Sequence, residues 1–155
     1  MTVEVHRVAW ADPAAIRLRE QMVAEMRVRY ADVPGDPIHL PAEEVFAGDD
    51  IPYTALALAA GEPAGHLALR WHGPDLELKR MYVVPGRRGR GVAALLLRAA
   101  ESAGAGLRAS RIILETGDRQ PEAVRAYEKA GYRPIPAFPP YQDLPYSRCF
   151  AKDLA

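Results

Sequence analysis

The stretch Met81-Tyr82-Val83-Val84-Pro85-Gly86-Arg87-Arg88-Gly89-Arg90-Gly91-Val92-Ala93 decides how the chain reads. An apolar strand from Leu76 to Val84 breaks at Pro85-Gly86 and enters a turn rich in glycine and arginine. An alanine- and leucine-rich helix, Val92 to Ala103, follows at once. A helix N-terminus presents N–H groups without intrahelical partners and a partial positive charge, so this junction suits a phosphate or pyrophosphate. Gly89 and Gly91 carry no Cβ to hold the backbone off an anion, and Arg87, Arg88 and Arg90 add charge to the same mouth. By itself an arginine-rich turn is as often a solvated loop. No Gly-Lys-Ser/Thr follows, so it is not a P-loop, and the third glycine of a dinucleotide fingerprint falls at Ala94.

Working outward, Tyr53 to Ala60 and Ala64 to Trp71 read as two apolar strands around a turn at Gly61-Glu62-Pro63. A second turn, His72-Gly73-Pro74-Asp75, leads into the Leu76 strand, which makes an antiparallel meander. Toward the N-terminus, Thr2 to Val8 suits a short strand. Asp12-Pro13 reads as an N-cap and first helical position, followed by Ile16, Leu18, Met22, Val23, Met26 and Tyr30 at helical spacing. Pro34-Gly35-Asp36-Pro37 stops that helix, and a shorter one is expected from Pro41, turning Val45 and Phe46 inward. Beyond the central helix, Arg111 to Glu115 is a brief strand and Pro121 to Ala130 a helix ended by Gly131. A proline-rich loop, Pro134 to Pro145, precedes a last strand around Ser147 to Lys152. The order predicts a mixed α/β architecture with a partly antiparallel sheet, forming one domain over residues 1–155.

Composition narrows the function. Hydrophobic residues at 49% and charged residues at 26% are those of a packed globular chain. Twenty Lys+Arg balance twenty Asp+Glu, which argues against a surface built to coat nucleic acid. Cys149 is the sole cysteine, so neither an internal disulfide nor a cysteine metal cluster is available. His39, His66 and His72 show no metal-ligand spacing, and His66, within a strand, reads as a satisfied structural residue. No signal-peptide layout opens the chain and no apolar run approaches a membrane span, so a cytoplasmic, membrane-free protein is expected.

Two motifs together make a specific match. Arg88-Gly89-Arg90-Gly91-Val92-Ala93 fits the Arg/Gln-x-x-Gly-x-Gly/Ala loop, and Ala123, Tyr127 and Gly131-Tyr132 fit an Ala-x-x-x-Tyr-x-x-x-Gly-Phe/Tyr pattern downstream of Leu114-Glu115-Thr116. In this the chain resembles the GNAT superfamily of acyl-CoA-dependent N-acyltransferases, firmly from about Leu76 to Tyr132. The resemblance implies a mixed, mostly antiparallel sheet of six to seven strands flanked by helices, with a splayed central pair. It implies acetyl-CoA as cosubstrate, no metal, a small-molecule amine or amino acid as acceptor, and a homodimer. The backbone of Met81, Tyr82 and Val83 would pair with the pantetheine arm and acetyl carbonyl, and amides from Arg88 to Ala93 would hold the pyrophosphate. Tyr127 would donate a proton to the departing thiolate. Gln120 stands where the family often has asparagine, and could bond the pantetheine arm.

An ammonium has no lone pair with which to attack a thioester, so a base or a water relay is needed. Glu77 is the candidate: strand alternation is expected to put Glu77, Lys79 and Met81 on one face, along the acetyl group. Glu115, at the end of the next strand, has a similar claim. A covalent intermediate on Cys149 is not expected. The segments Tyr30 to Pro41 and Pro134 to Pro145 suit the walls of an acceptor pocket, with Asp32, Asp36, His39 and Tyr141 fitting a compact cationic amine or an amino acid. The competing readings are an acyl-CoA-binding regulatory module without turnover and a nucleic-acid contact through the arginine turn.

Overall fold

The computed structural model describes residues 2–33 and 50–154. The helix expected from Pro41, together with Val45, Phe46, Asp36 and His39, lies outside the described residues.

The described elements are β1 (Val3–Arg7), α1 (Pro13–Arg29), β2 (Tyr53–Ala59), β3 (Glu62–His72), β4 (Asp75–Val83), α2 (Val92–Gly106), β5 (Arg111–Gly117), α3 (Pro121–Lys129), β6 (Arg133–Ile135) and β7 (Ser147–Asp153). They form one seven-stranded sheet in the order β1-β2-β3-β4-β5-β7-β6, in which only β4 and β5 pair in parallel. The meander is therefore as expected, and the sheet has the upper of the expected strand counts. β6 was read as part of the proline-rich loop. Pro134 lies in β6, in an edge strand, where its lack of an N–H leaves no central ladder bond unmade.

Local chemistry accounts for the boundaries. Asp12 accepts hydrogen bonds from the N–H groups of Ala14 (2.9 Å) and Ala15 (3.2 Å), capping α1, with Pro13 at its first position. The first hairpin turns at Ala60 and Gly61, both with positive φ (50° and 79°), one residue earlier than expected; Glu62 and Pro63 already belong to β3.

Two layers of helix cover the sheet. On one face α2 presents Val92, Leu96, Leu97 and Ala100 to Leu67, Leu69, Leu76, Leu78, Ile112, Leu114 and Phe150. On the other, α1 packs Ala15 and Leu18 on Leu56 and Tyr82. Among the residues read as α1's core face, Leu18, Met26 and Tyr30 are buried while Ile16, Met22 and Val23 are half-buried. Arg19, unforeseen in the core, is 2% exposed. It stacks on Trp10, with its guanidinium 3.5 Å from the ring centre, and donates to the Trp10 carbonyl and to His66 Nε2 (3.0 Å).

That bond fixes the tautomer of His66: Nε2 accepts from Arg19, so Nδ1 carries the proton and donates to the Arg80 carbonyl at 2.8 Å. Burial, with help from the Arg19 and Arg80 charges, lowers the His66 pKa to about 4. The structural reading of His66 is supported, and a consequence follows for acid stability. The folded ring stays neutral while the unfolded chain binds a proton below about 6.5, so stability is complete above that pH and falls progressively toward pH 4. The loss attributable to His66 is roughly 3 kcal/mol. Urea midpoints between pH 7 and pH 4 measure it, and His66→Gln should flatten that slope.

Gly65 sits where β3 meets α2. A Cβ there would lie 2.8 Å from Leu96 Cδ1 and 3.0 Å from the Tyr82 carbonyl oxygen. The backbone oxygen cannot swing aside as a side chain can, so Gly65→Ala is expected to destabilise by about 1–3 kcal/mol, read as a fall in Tm.

Candidate active site

The site begins with a break in β4. His66 opposes Tyr82 and Ala68 opposes Lys79, which leaves β4 one residue too long; Arg80 takes a left-handed φ of 55° there. The bulge reverses which side chains face which helix. Before it Leu76 and Leu78 face α2; after it Met81 and Val83 pack on that same cluster, and Tyr82 packs on α1. The expectation that Glu77, Lys79 and Met81 share a face is therefore corrected: Glu77 and Lys79 lie on the α1 side and Met81 on the α2 side. Simple alternation fails because a bulged strand inserts one unpaired residue.

The bulge also parts two strands. β4 and β5 pair only through Leu76–Ile112, Glu77–Ile113 and Leu78–Leu114. Beyond Leu78 they separate, and the wedge between them opens into a groove of about 840 Å³ walled by α2 and α3. Met81, Tyr82, Val83, Arg88, Gly89, Gly91, Val92, Ala93, Gln120 and Tyr127 all line it. Arg90 is exposed and is not part of the lining, although Arg87 is.

At the groove's mouth a short 3-10 turn, Pro85–Arg87, leads to Gly89 (φ 75°) and Gly91 (φ 82°), and α2 starts with Gly91 as its N-cap. A Cβ on either glycine would meet nothing within 4 Å, so these positions favour glycine because of backbone conformation rather than crowding by protein. The Arg88 side chain is engaged within the protein. Nε donates to the Val83 carbonyl (2.9 Å), and one terminal nitrogen reaches both oxygens of Glu25 on α1 (2.9 and 2.8 Å). Glu25 also accepts from the Tyr82 hydroxyl (3.2 Å) and from Arg29 (3.0 Å), and Arg29 pairs in turn with Glu122 of α3. Arg88 thus ties the turn to α1. No sequence signal could link Glu25 to a turn 63 positions later.

Tyr127 on α3 is 5% exposed, with its ring about 6 Å from those of Tyr132 and Phe150. Burial first, and the nearby Glu115 charge second, hold its pKa well above the usual tyrosine value. Gln120 caps α3 without using its side chain.

Tyr127, Met81, Gln120, Met22 and Met26 also line a second, smaller cavity of about 110 Å³ on the other side of the wedge. Glu77 belongs to this one. Its carboxylate, 3% exposed, accepts from the Tyr141 hydroxyl (2.7 Å) and from Lys79 Nζ (3.4 Å), while Lys79 Nζ donates to the Tyr141 oxygen (2.7 Å). Burial pushes the Lys79 pKa down against the pull of Glu77, and burial and the Glu77 charge push Tyr141 up. Glu115 lines the same cavity and accepts from Ser147 (2.9 Å). The loop expectation holds in part: Tyr30, Tyr141 and Leu144 are in the wall, whereas Asp32 pairs with Arg119. Cys149 is buried and its thiol pKa is raised by that burial, which disfavours a thiolate nucleophile. Among the described residues no cluster could hold a metal ion, and no helix is long and apolar enough to cross a membrane.

A groove ending at a helix N-terminus and a polar pocket meeting it across a strand splay is a recognisable arrangement, and residues 15–132 match the profile of the acetyltransferase (GNAT) family. The chain belongs to the GNAT acetyltransferase family. It is an acyltransferase, similar over 137 residues (30% identity, 86% of this chain and 89% of the relative) to an IAA acetyltransferase of Azospirillum brasilense. The GNAT fold is seen again in a Klebsiella pneumoniae protein assigned as an acyl-CoA N-acyltransferase, with 26% identity, 99% of each chain covered and a TM-score of 0.81. The PaiA N-acetyltransferase of Thermoplasma acidophilum, solved in complex with coenzyme A, shares the fold at 15% identity and TM-score 0.69, with 99% of each chain covered.

Proposed function

We propose that this GNAT enzyme transfers the acetyl group of acetyl-CoA to a primary amine of a small molecule or amino acid, by direct attack in a ternary complex. The observation that carries the reading is the meeting of the two cavities at Met81, Gln120 and Tyr127. A thioester lying in the larger groove and an amine lying in the smaller one would touch at that boundary.

The groove fits the cosubstrate. Its volume is within the range of ~300–1,000 Å³ usual for ligand pockets, and α2's first amides open into it at Val92 and Ala93 to take a pyrophosphate. In this reading the amides of Arg88 to Ala93 hold the pyrophosphate, and the Arg88 side chain holds the turn in shape through Glu25. The β4 backbone at Met81, Tyr82 and Val83, unpaired with β5, supplies bonds to the pantetheine arm, with Gln120 beside it. Glu77 accepts the proton of the incoming ammonium. The freed nitrogen forms a C–N bond to the thioester carbon, and a backbone N–H near Val83 holds the oxyanion. The C–S bond then breaks, the thiolate receives a proton from Tyr127, and the extra proton left on the attacking nitrogen passes to the Tyr127 phenolate, which leaves a neutral amide and a neutral tyrosine.

Initial-velocity patterns test the ternary complex. Varying acetyl-CoA against amine should give intersecting double-reciprocal lines. Parallel lines would show an acetyl-enzyme intermediate and contradict direct attack.

A further inference from the structure

We propose that the acceptor is an amino acid and that Lys79 recognises its carboxylate, making Lys79 the residue that separates amino acids from simple amines. The inference rests on the transferase reading and narrows its acceptor.

The argument starts from charge in a confined space. The smaller cavity carries the carboxylates of Glu77 and Glu115 and, on the same wall, the ammonium of Lys79. All three line the cavity that meets the groove at Tyr127. A polyamine would bring a second cation toward a buried ammonium, and like charges at low local dielectric repel strongly. A plain amine would satisfy the carboxylates and leave Lys79 with no partner on the substrate. A zwitterion matches both signs at once: its ammonium goes to a carboxylate that must take its proton, and its carboxylate goes to Lys79.

Lys79 is placed to make that exchange. Its contact with Glu77 at 3.4 Å is loose beside the ~2.7–2.9 Å of a good charge-assisted bond, so an arriving carboxylate can compete for Nζ on the Glu77 side while the Tyr141 bond is kept. Tyr141 bridges the two, its hydroxyl accepting from Lys79 and donating to Glu77. Burial disfavours the charged form of Lys79, and a bound carboxylate would offset that penalty. Lys79 and Tyr141 come from β4 and from the proline-rich loop, 62 positions apart, so only the fold joins them.

Matched acceptor pairs test the proposal: phenylalanine against phenethylamine, methionine against 3-(methylthio)propylamine, and serine against ethanolamine, each followed by thiol release from acetyl-CoA. Wild type should favour the amino acid of at least one pair by tenfold or more in kcat/KM. In Lys79→Met, which keeps the side chain's length and apolar stem, that preference should collapse toward unity through a raised amino-acid KM, and Lys79→Arg should restore part of it. Equal or better turnover of the decarboxylated partners by wild type overturns the proposal with no variant needed. So does turnover of a polyamine or a peptide N-terminus with no amino acid accepted, which leaves the transferase reading standing. Thiol release from none of these acceptors, with coenzyme A still bound, removes the reading of a small-molecule amine or amino acid as acceptor and this inference with it.

Discussion

Replacing Tyr127 by phenylalanine is expected to lower kcat by a factor on the order of 10²–10⁴ while leaving the KM for acetyl-CoA nearly unchanged. The hydroxyl is the only atom removed, and the ring stays between Tyr132 and Phe150, so the core is preserved. In the proposed reaction, what is lost is the proton for the leaving group. The thiol of coenzyme A, like a free cysteine near ~8.5, departs as a moderately basic thiolate. In a buried site the anion is poorly solvated, and its affinity for a proton rises. The same burial keeps the Tyr127 hydroxyl protonated well beyond pH 10. The wild-type kcat is therefore not expected to fall between pH 8 and pH 10, as it would if an ordinary tyrosine were ionising. Steady-state rates across that range, for both proteins, check the magnitude and the shape together.

Glu77→Gln is expected to lower kcat/KM at pH 7 by about 10²-fold or more, with the defect shrinking as pH approaches 10. Glutamine keeps the shape and can still accept the Tyr141 hydroxyl, but it cannot take a proton. Amines titrate between ~8 and ~10, so at high pH the acceptor arrives already deprotonated and the base is no longer needed. A pH profile that rises steeply in the variant, and only gently in wild type, is the signature of a lost base. Glu115→Gln is the control. It lines the same cavity and holds Ser147, so a pH-dependent loss confined to Glu115→Gln would move the base to β5.

How far the sequence reached is clearest along β4. The strand, the break at Pro85-Gly86, the glycine turn and the start of α2 at Val92 were all legible, because each depends on residues adjacent in the chain. The registration of Tyr127 with that turn was legible through the family resemblance, and the groove lining includes both. The bulge at Arg80 was not. Arginine is not a residue that announces a left-handed φ, and the conformation is held by tertiary contacts, among them the His66 bond to the Arg80 carbonyl. Reading Glu77 and Met81 onto one face was the consequence.

Long-range polar pairings were equally hidden. Arg88 read as positive charge for an anion, yet its side chain is held by Glu25 of α1. Arg19 was not among the residues placed on α1's core face, yet it is buried on Trp10 and His66. Glu77 read as a candidate base on a strand face with Lys79, but nothing in the sequence pointed to the Tyr141 hydroxyl that the two share. In each case the partners come from different elements, and periodicity along one element carries no information about the other. Tyr141 had been singled out as part of an acceptor-pocket wall suited to an amine or amino acid, without its partners Glu77 and Lys79.

The most direct measurement mixes the purified protein with acetyl-CoA and a panel of amino acids and simple amines, then reads free thiol and product mass together. The account predicts thiol release that depends on one class of acceptor, in step with an acceptor heavier by one acetyl group. Binding of acetyl-CoA with no acceptor modified, or thiol release equal with and without amine, would contradict it.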